Sequence, residues 1–345
     1  MSSLDISGVS KRYGKVDILR DVSLRVSEGA IVALLGSSGS GKTTLLRLIA
    51  GFEQPDTGKI RIGDRVVAND QTRIPPEARR IGYVPQEGAL FPHMTVAENV
   101  SFGLARADRR NGRLAEMLRL TGMTAFAARY PHQLSGGQQQ RTALARALAP
   151  NPGVVLLDEP FNALDIDLRR SVCGHVIATL RKAGATAILV THDPIEAFAS
   201  ADIVAVMRHG TISQIGEPHE VYGHPIDANV ARMTGASIFL RGQVEGDVAN
   251  TELGRIRLHA NALPARSVAE IMVRPEQIRI GREGGVHGRI AAAVFCGDHT
   301  LVKVAHRERV FEIPVAGPCE FQIGEMVSLQ VDHVCVAFPP HPAMA

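Results

Sequence analysis

"AIVALLGSSGSGKTTLLRLIAG", residues 30–51, decides the fold. Its five apolar residues Ile31–Leu35 form the short continuous run of a strand buried in a parallel sheet. A loop of glycine and serine follows. From Lys42 the apolar residues recur at helical spacing until Gly51, which closes the helix at a C′-like position. Strand, loop and helix in that order are the context that gives G-x-x-x-x-G-K-[ST] its chemical meaning. Gly36, Ser37, Ser38, Gly39, Ser40, Gly41, Lys42, Thr43 and Thr44 are therefore expected to form a phosphate-binding loop, or P-loop. Its glycines let the backbone curl around phosphate oxygens, Lys42 reaches the β- and γ-phosphates, and Thr43 ligates Mg²⁺.

Outward from this loop the chain alternates strands and helices. Strands are expected around residues 4–9 and 22–26, with a hairpin near 58–67 and helical sequence from about 88 to 150. Then come "GVVLLD", a helix turning Leu168, Val172, Val176 and Leu180 inward, "TAILVT", a short helix after Pro194, and "DIVAVM". Right-handed βαβ units and a largely parallel sheet follow, so the fold class is α/β. Near Gly235 the character changes to short strands broken by Gly and Pro, which predicts a small all-β barrel. The expected domains are 1–235, with a helical subdomain at about 88–150, and 236–345.

Further motifs sit where strands end. "VVLLDEP" (154–160) puts Asp158 at the C-terminal end of a buried strand, the end at which parallel sheets bind ligands, so it is a candidate metal ligand. Glu159, beside it, is a candidate general base toward water. Gln86 in "YVPQEG" is a candidate either to ligate Mg²⁺ or to position that water. His192 in "LVTHDP" is a candidate to hydrogen-bond the γ-phosphate, and Tyr13 in "KRYGKV" to stack on adenine. "LSGGQQQRTALARALA" (134–149) is a strong helix former, with Ser135 and Gln138 in capping-box relation. Gly136 and Gly137 nevertheless occupy its first turn, at roughly 1 kcal/mol each relative to alanine. Such glycines suggest an anion brought close to the backbone N–H groups.

The chain has 345 residues, 45% of them hydrophobic, enough for one large and one smaller core. A formal net charge of +3 without a dense Lys/Arg run gives no case for nucleic acid. The four cysteines (173, 296, 319 and 335) form no C-x-x-C pair, which favours reduced thiols over disulfides or a zinc site. No apolar run approaches the ~18 residues of a membrane span, and the N-terminus lacks the apolar stretch of a signal peptide. A soluble, intracellular chain is expected.

In combination these motifs resemble the ATP-binding subunit of ATP-binding-cassette (ABC) transporters. The matches run in order: Tyr13, the P-loop, Gln86, "LSGGQ" (134–138), "LLDEP" (156–160), "NALD" (162–165) and His192. Asn162 departs from the serine usual there. "VRPEQIRI" (273–280) resembles the C-terminal oligosaccharide-binding-like domain of importer ATPases, and "VPQEGALFPHMTVAENVSFGL" (84–104) is most similar to ferric-ion import ATP-binding subunits. The resemblance implies ATP and Mg²⁺ as cofactors, with Asp165 and, from an opposite subunit, Ser135, Gly136, Gly137 and Gln138 touching ATP. It implies a homodimer, since each chain carries one P-loop and one signature. It also implies two separate transmembrane permease subunits, an external substrate-binding protein, and a place on the cytoplasmic face of the inner membrane. Polyamine, sulfate, thiamine and sugar are alternative cargoes. A DNA-repair ATPase would carry a coiled-coil insert between P-loop and signature, and a translation factor tandem cassettes; neither feature is present in this sequence.

Overall fold

Three five-residue strands, Ile31–Leu35, Val154–Asp158 and Ala187–Thr191, have every residue buried. They lie side by side within a six-stranded sheet, which explains why they read as unbroken apolar runs rather than alternating ones. Ile203–Arg208 and Ile81–Val84 extend the parallel array on either side, and Thr211–Gly216 closes one edge antiparallel. The computed structural model describes residues 1–340 other than 87–88, 106–110, 163, 165, 260–262 and 265, and without the side chains of 166–168. Asp165 and the Leu168 side chain thus lie outside the described residues.

The chain divides into two units, Met1–Val221 and Tyr222–Ala345. In the first, the opening strands Leu4–Tyr13 and Val16–Val26 do not join the parallel sheet. They pair with the hairpin Thr57–Ile62 and Arg65–Ala68 in a separate four-stranded antiparallel sheet. The P-loop helix, Lys42–Ala50, shares one core with both sheets: Leu45, Leu46, Leu48 and Ile49 join a cluster with Leu4, Ile6 and Leu24 of one and Val32, Leu34, Leu156 and Ile188 of the other. Between the strands Ile81–Val84 and Val154–Asp158 the described residues include the helices Val96–Ser101, Arg113–Leu120 and Gly136–Leu148. In the helix Ile166–Lys182, Val172, Val176 and Leu180 are buried as the spacing predicts.

The second unit is all-β after two short helices, Pro218–Gly223, which spans the division, and Ala228–Thr234. Among the described residues, ten strands form two five-stranded antiparallel sheets that share a core around Leu240, Ile271, Phe311 and Leu329. Composition changes at residue 235, but packing changes at 221–222, and Arg274 is one cause. This residue, 1% exposed, donates through Nη1 to the carbonyls of Ala231, Gly235 and Ala236 and to Ser237 Oγ, and through Nη2 to Tyr222 O and Thr234 Oγ1. The helix Ala228–Thr234 is thereby bonded, within the second unit, to the residue that follows the strand Val268–Val273. All four cysteines are free, and no described helix is long and apolar enough to cross a membrane.

Candidate functional site

Strand register assembles the site. Leu35 is level with Thr191, Asp158 with Val190, and Val84 with Leu157. The residues that follow, Gly36, Glu159, His192 and the Pro85–Gln86 step, therefore leave the sheet along one carboxyl edge, where ligands of α/β sheets bind. Four motifs separated by up to some 150 positions in sequence meet there because their strands end together.

The P-loop helix begins at Gly41, whose φ of 103° is open to glycine, and no side chain caps it. Its first N–H groups are thus left to an anion. Lys42 folds back so that Nζ donates to Gly36 O at 2.8 Å and Ser37 O at 2.9 Å. Burial pushes the Lys42 ammonium down from its ordinary pKa, while Glu159 and Asp158 act in the opposite sense. Ser37, Ser38 and Gly39 are exposed at the tip of the loop, and Ser40 is buried beneath it. Thr44 lies half-buried in the first turn.

Thr43 Oγ1 donates to Asp158 Oδ1 at 3.2 Å, and the Tyr83 hydroxyl donates to Asp158 Oδ2 at 3.1 Å. Burial raises the Asp158 carboxyl pKa, and these two bonds partly offset the rise. Thr43, Asp158, Tyr83 and Gln86 line one cleft of about 470 Å³ together with Arg47 and Phe52. Two hydroxyls, a carboxylate and a side-chain amide form an oxygen-rich set, the kind that hard divalent cations prefer. Phe52 meets the Tyr83 ring edge-on at 5.4 Å, fixing its orientation.

Glu159 adopts a left-handed backbone, φ 43°, at the strand end, and its N–H is held by Val190 O. Its Oε2 accepts a hydrogen bond from Asn162 Nδ2 and lies 3.3 Å from His192 Nδ1. Carboxylate, amide and imidazole thus form one polar group beside the P-loop strand, with His192 half-exposed. Tyr13 stands on the antiparallel sheet, 46% exposed, its hydroxyl donating to Glu53, which also pairs with Arg47 at 2.8 Å.

The signature residues form the expected capping box. Ser135 N donates to Gln138 Oε1 at 3.0 Å and Gln138 N donates to Ser135 Oγ. Ser135 and Gly136 are exposed, Gly137 is buried, and the two bonds of this box stay within the helix start. Gly136 also has a reason within its own chain, because a Cβ there would sit 2.9 Å from Leu164 Cδ2.

Sequence reasoning missed Tyr83 as a partner of Asp158. The only signal was a hydroxyl-bearing residue in "IGYV" three positions before Gln86.

Two family models match: one described as ABC transporter over residues 19–162, and one described as TOBE domain over residues 271–338. The chain is 45% identical to "Fe(3+) ions import ATP-binding protein FbpC 1" of Rhodococcus jostii, over 98% of this chain and 99% of that one. To the FbpC protein of Pseudomonas fluorescens it is 48% identical, over 83% and 80%. Among solved structures it is similar to MJ0796, an ATP-binding cassette in a dimeric post-hydrolysis state bound to ADP and Pi, with 32% identity and TM-score 0.53 over 62% of this chain and 98% of that one. It is also similar to cbiO1 of Clostridium perfringens, part of the ABC transporter complex cbiONQ, with 27% identity and TM-score 0.58 over 64% and 90%.

Proposed function

The chain belongs to the ATP-binding subunits of ABC importers, and from this premise we propose that it powers the uptake of ferric ion through permease subunits formed by other chains. The observation that carries the cargo is the 45% identity sustained over nearly the full length of both chains. What supports the ATPase role is the convergence of Lys42, Thr43, Asp158, Glu159 and His192 on one sheet edge.

In this reading Lys42 and the uncapped N–H groups of the P-loop helix grip the β- and γ-phosphates of ATP. Thr43, Asp158 and Gln86 would hold Mg²⁺, which would supply positive charge to the phosphate oxygens. Water attacks the γ-phosphorus as the bond to the β–γ bridging oxygen breaks, and Glu159 accepts the water proton at a carboxylate oxygen. Asn162 and His192 orient that carboxylate, and His192 reaches toward the γ-phosphate. Tyr13 stacks on adenine, and Asp165 completes the set.

The exposed Ser135 and Gly136 present helix N–H groups outward, with Gly137 and Gln138 behind them, to the ATP of a second copy. Two copies then pair head-to-tail about a two-fold axis; that MJ0796 is dimeric supports the pairing. Cassette boundaries at 1–235 and 236–345, set by composition, describe the functional modules. The dimer sits at the cytoplasmic face against two permease subunits, and a substrate-binding protein delivers cargo from outside.

The test is ATPase activity of the complex reconstituted in vesicles with its permease and binding protein. Stimulation by the ferric-loaded binding protein is expected. Stimulation only by a protein loaded with polyamine, sulfate, thiamine or sugar would reassign the cargo.

A further inference from the structure

At the opposite, amino ends of the parallel strands lies a second polar cavity, of about 320 Å³. Arg65, Arg79 and Arg80 wall it, with the turn Asn151, Pro152 and Gly153 as floor, and its described lining contains no carboxylate. None of the three guanidiniums makes an ion pair among the described residues. Arg65 Nη1 donates to Ala78 O at 3.1 Å, and Arg80 Nη2 lies 3.4 Å from Asn151 O. Three guanidiniums on one cavity wall leave its potential positive, which favours an anion there.

Arg79 is the telling member. It is 3% exposed, with Nε donating to Ile74 O at 2.7 Å and Nη1 to Leu48 O and Ile49 O at 2.7 and 2.8 Å. The Nη1 bonds cap the last turn of the P-loop helix, and with the Nε bond they explain two of the three guanidinium nitrogens. The third, Nη2, is buried without a hydrogen-bond partner. A buried donor left unmade costs about 1–3 kcal/mol, and capping the helix requires neither Nη2 nor the arginines at 65 and 80. Burial, reinforced by Arg73, pushes the Arg79 pKa down to about 10.

We propose that this cavity binds a small multivalent oxyanion, with Arg65 and Arg80 gripping it from the rim and the buried charge of Arg79 favouring it from beneath. Guanidiniums suit phosphoryl and carboxylate oxygens through paired N–H donors. At roughly 30 Å³ per water, the cavity has room for about ten waters, enough for pyrophosphate or citrate. Arg79 holds the last carbonyls of the helix whose other end is the P-loop, so an occupant here lies against the residue that caps the nucleotide helix.

The test is isothermal titration of the full chain in EDTA, with the P-loop saturated by ADP. Pyrophosphate probes a phosphoryl source and citrate a polycarboxylate one. One site per chain is expected for at least one probe, weakening as salt rises. Affinity should drop at least tenfold in the double variant Arg65→Gln/Arg80→Gln, whose sites are both exposed. Asn151→Asp, which keeps a residue tolerant of its left-handed φ of 52° and adds a competing carboxylate, should also weaken binding. Circular dichroism of each variant checks its fold. Dilution heats alone with both probes, or undiminished binding by folded variants, would overturn the proposal.

Discussion

Replacing Arg274 with methionine should loosen the start of the second unit while leaving the P-loop chemistry in place. The side chain is 1% exposed and bonds segments on both sides of residue 235. Methionine fills similar space and keeps contact with the Tyr222 ring, over which the guanidinium sits at 4.0 Å. After the change, Ala231 O and Gly235 O still accept from Ser237 Oγ. The bonds to Ala236 O, at 3.1 Å, and Tyr222 O, at 2.7 Å, are lost outright. At about 1.5–3 kcal/mol for a bond from a charged donor, the gross loss is about 3–6 kcal/mol. Part returns, because burial disfavours the charged guanidinium and holds its pKa below the ordinary value. The net is about 2–4 kcal/mol. Through the opening equilibrium that corresponds to amide exchange roughly 30- to 1000-fold faster in peptides spanning 228–240 and 270–277. Hydrogen exchange read by mass spectrometry measures this directly. Less than threefold acceleration in those peptides would refute the assignment of Arg274 as the tie between the residues on either side of 235.

Two predictions concern the catalytic edge. Glu159→Gln keeps the shape that accepts from Asn162 but cannot take a proton, so steady-state ATPase should fall roughly 10²–10⁴-fold while nucleotide is retained; activity within a few-fold of the parent would remove Glu159 from the base role. Tyr83→Phe keeps the ring against Phe52 and removes one donor from buried Asp158, so the Mg²⁺ concentration for half-maximal ATPase should rise roughly 10- to 100-fold. An unchanged Mg²⁺ titration would mean that Tyr83 does not support the ligand.

Residues close in sequence were legible and residues joined only by packing were not. The P-loop, the strand ending in Asp158, and the capping box of Ser135 and Gln138 each declare themselves within a few positions, because loop, strand end and helix cap are local structures. Tyr83 reaches Asp158 across 75 positions, and Arg274 reaches Tyr222 across 52. No local pattern announces such a pair, since a strand tyrosine or an arginine before proline is compatible with many surroundings. The separate antiparallel sheet was hidden likewise, because alternation shows that a strand exists but not which sheet receives it. Gly136 shows that one residue can answer to two constraints. Its first-turn position suggests an anion, while its missing Cβ also makes room for Leu164.

The central claim is that each ATP is held by the P-loop of one copy and the signature of the other. It is tested most directly with a mixed dimer isolated through distinguishable tags. One chain carries both Lys42→Ala, which removes the ammonium that lies beside Gly36 and Ser37, and Ser135→Arg, which obstructs the exposed helix start. The other chain is unaltered. In a shared arrangement one site lacks its lysine and the other its signature, so neither is intact and ATPase should fall to the level of the doubly altered homodimer. If each chain held a complete site, the unaltered partner would keep about half the activity by site counting, and that result would contradict the account.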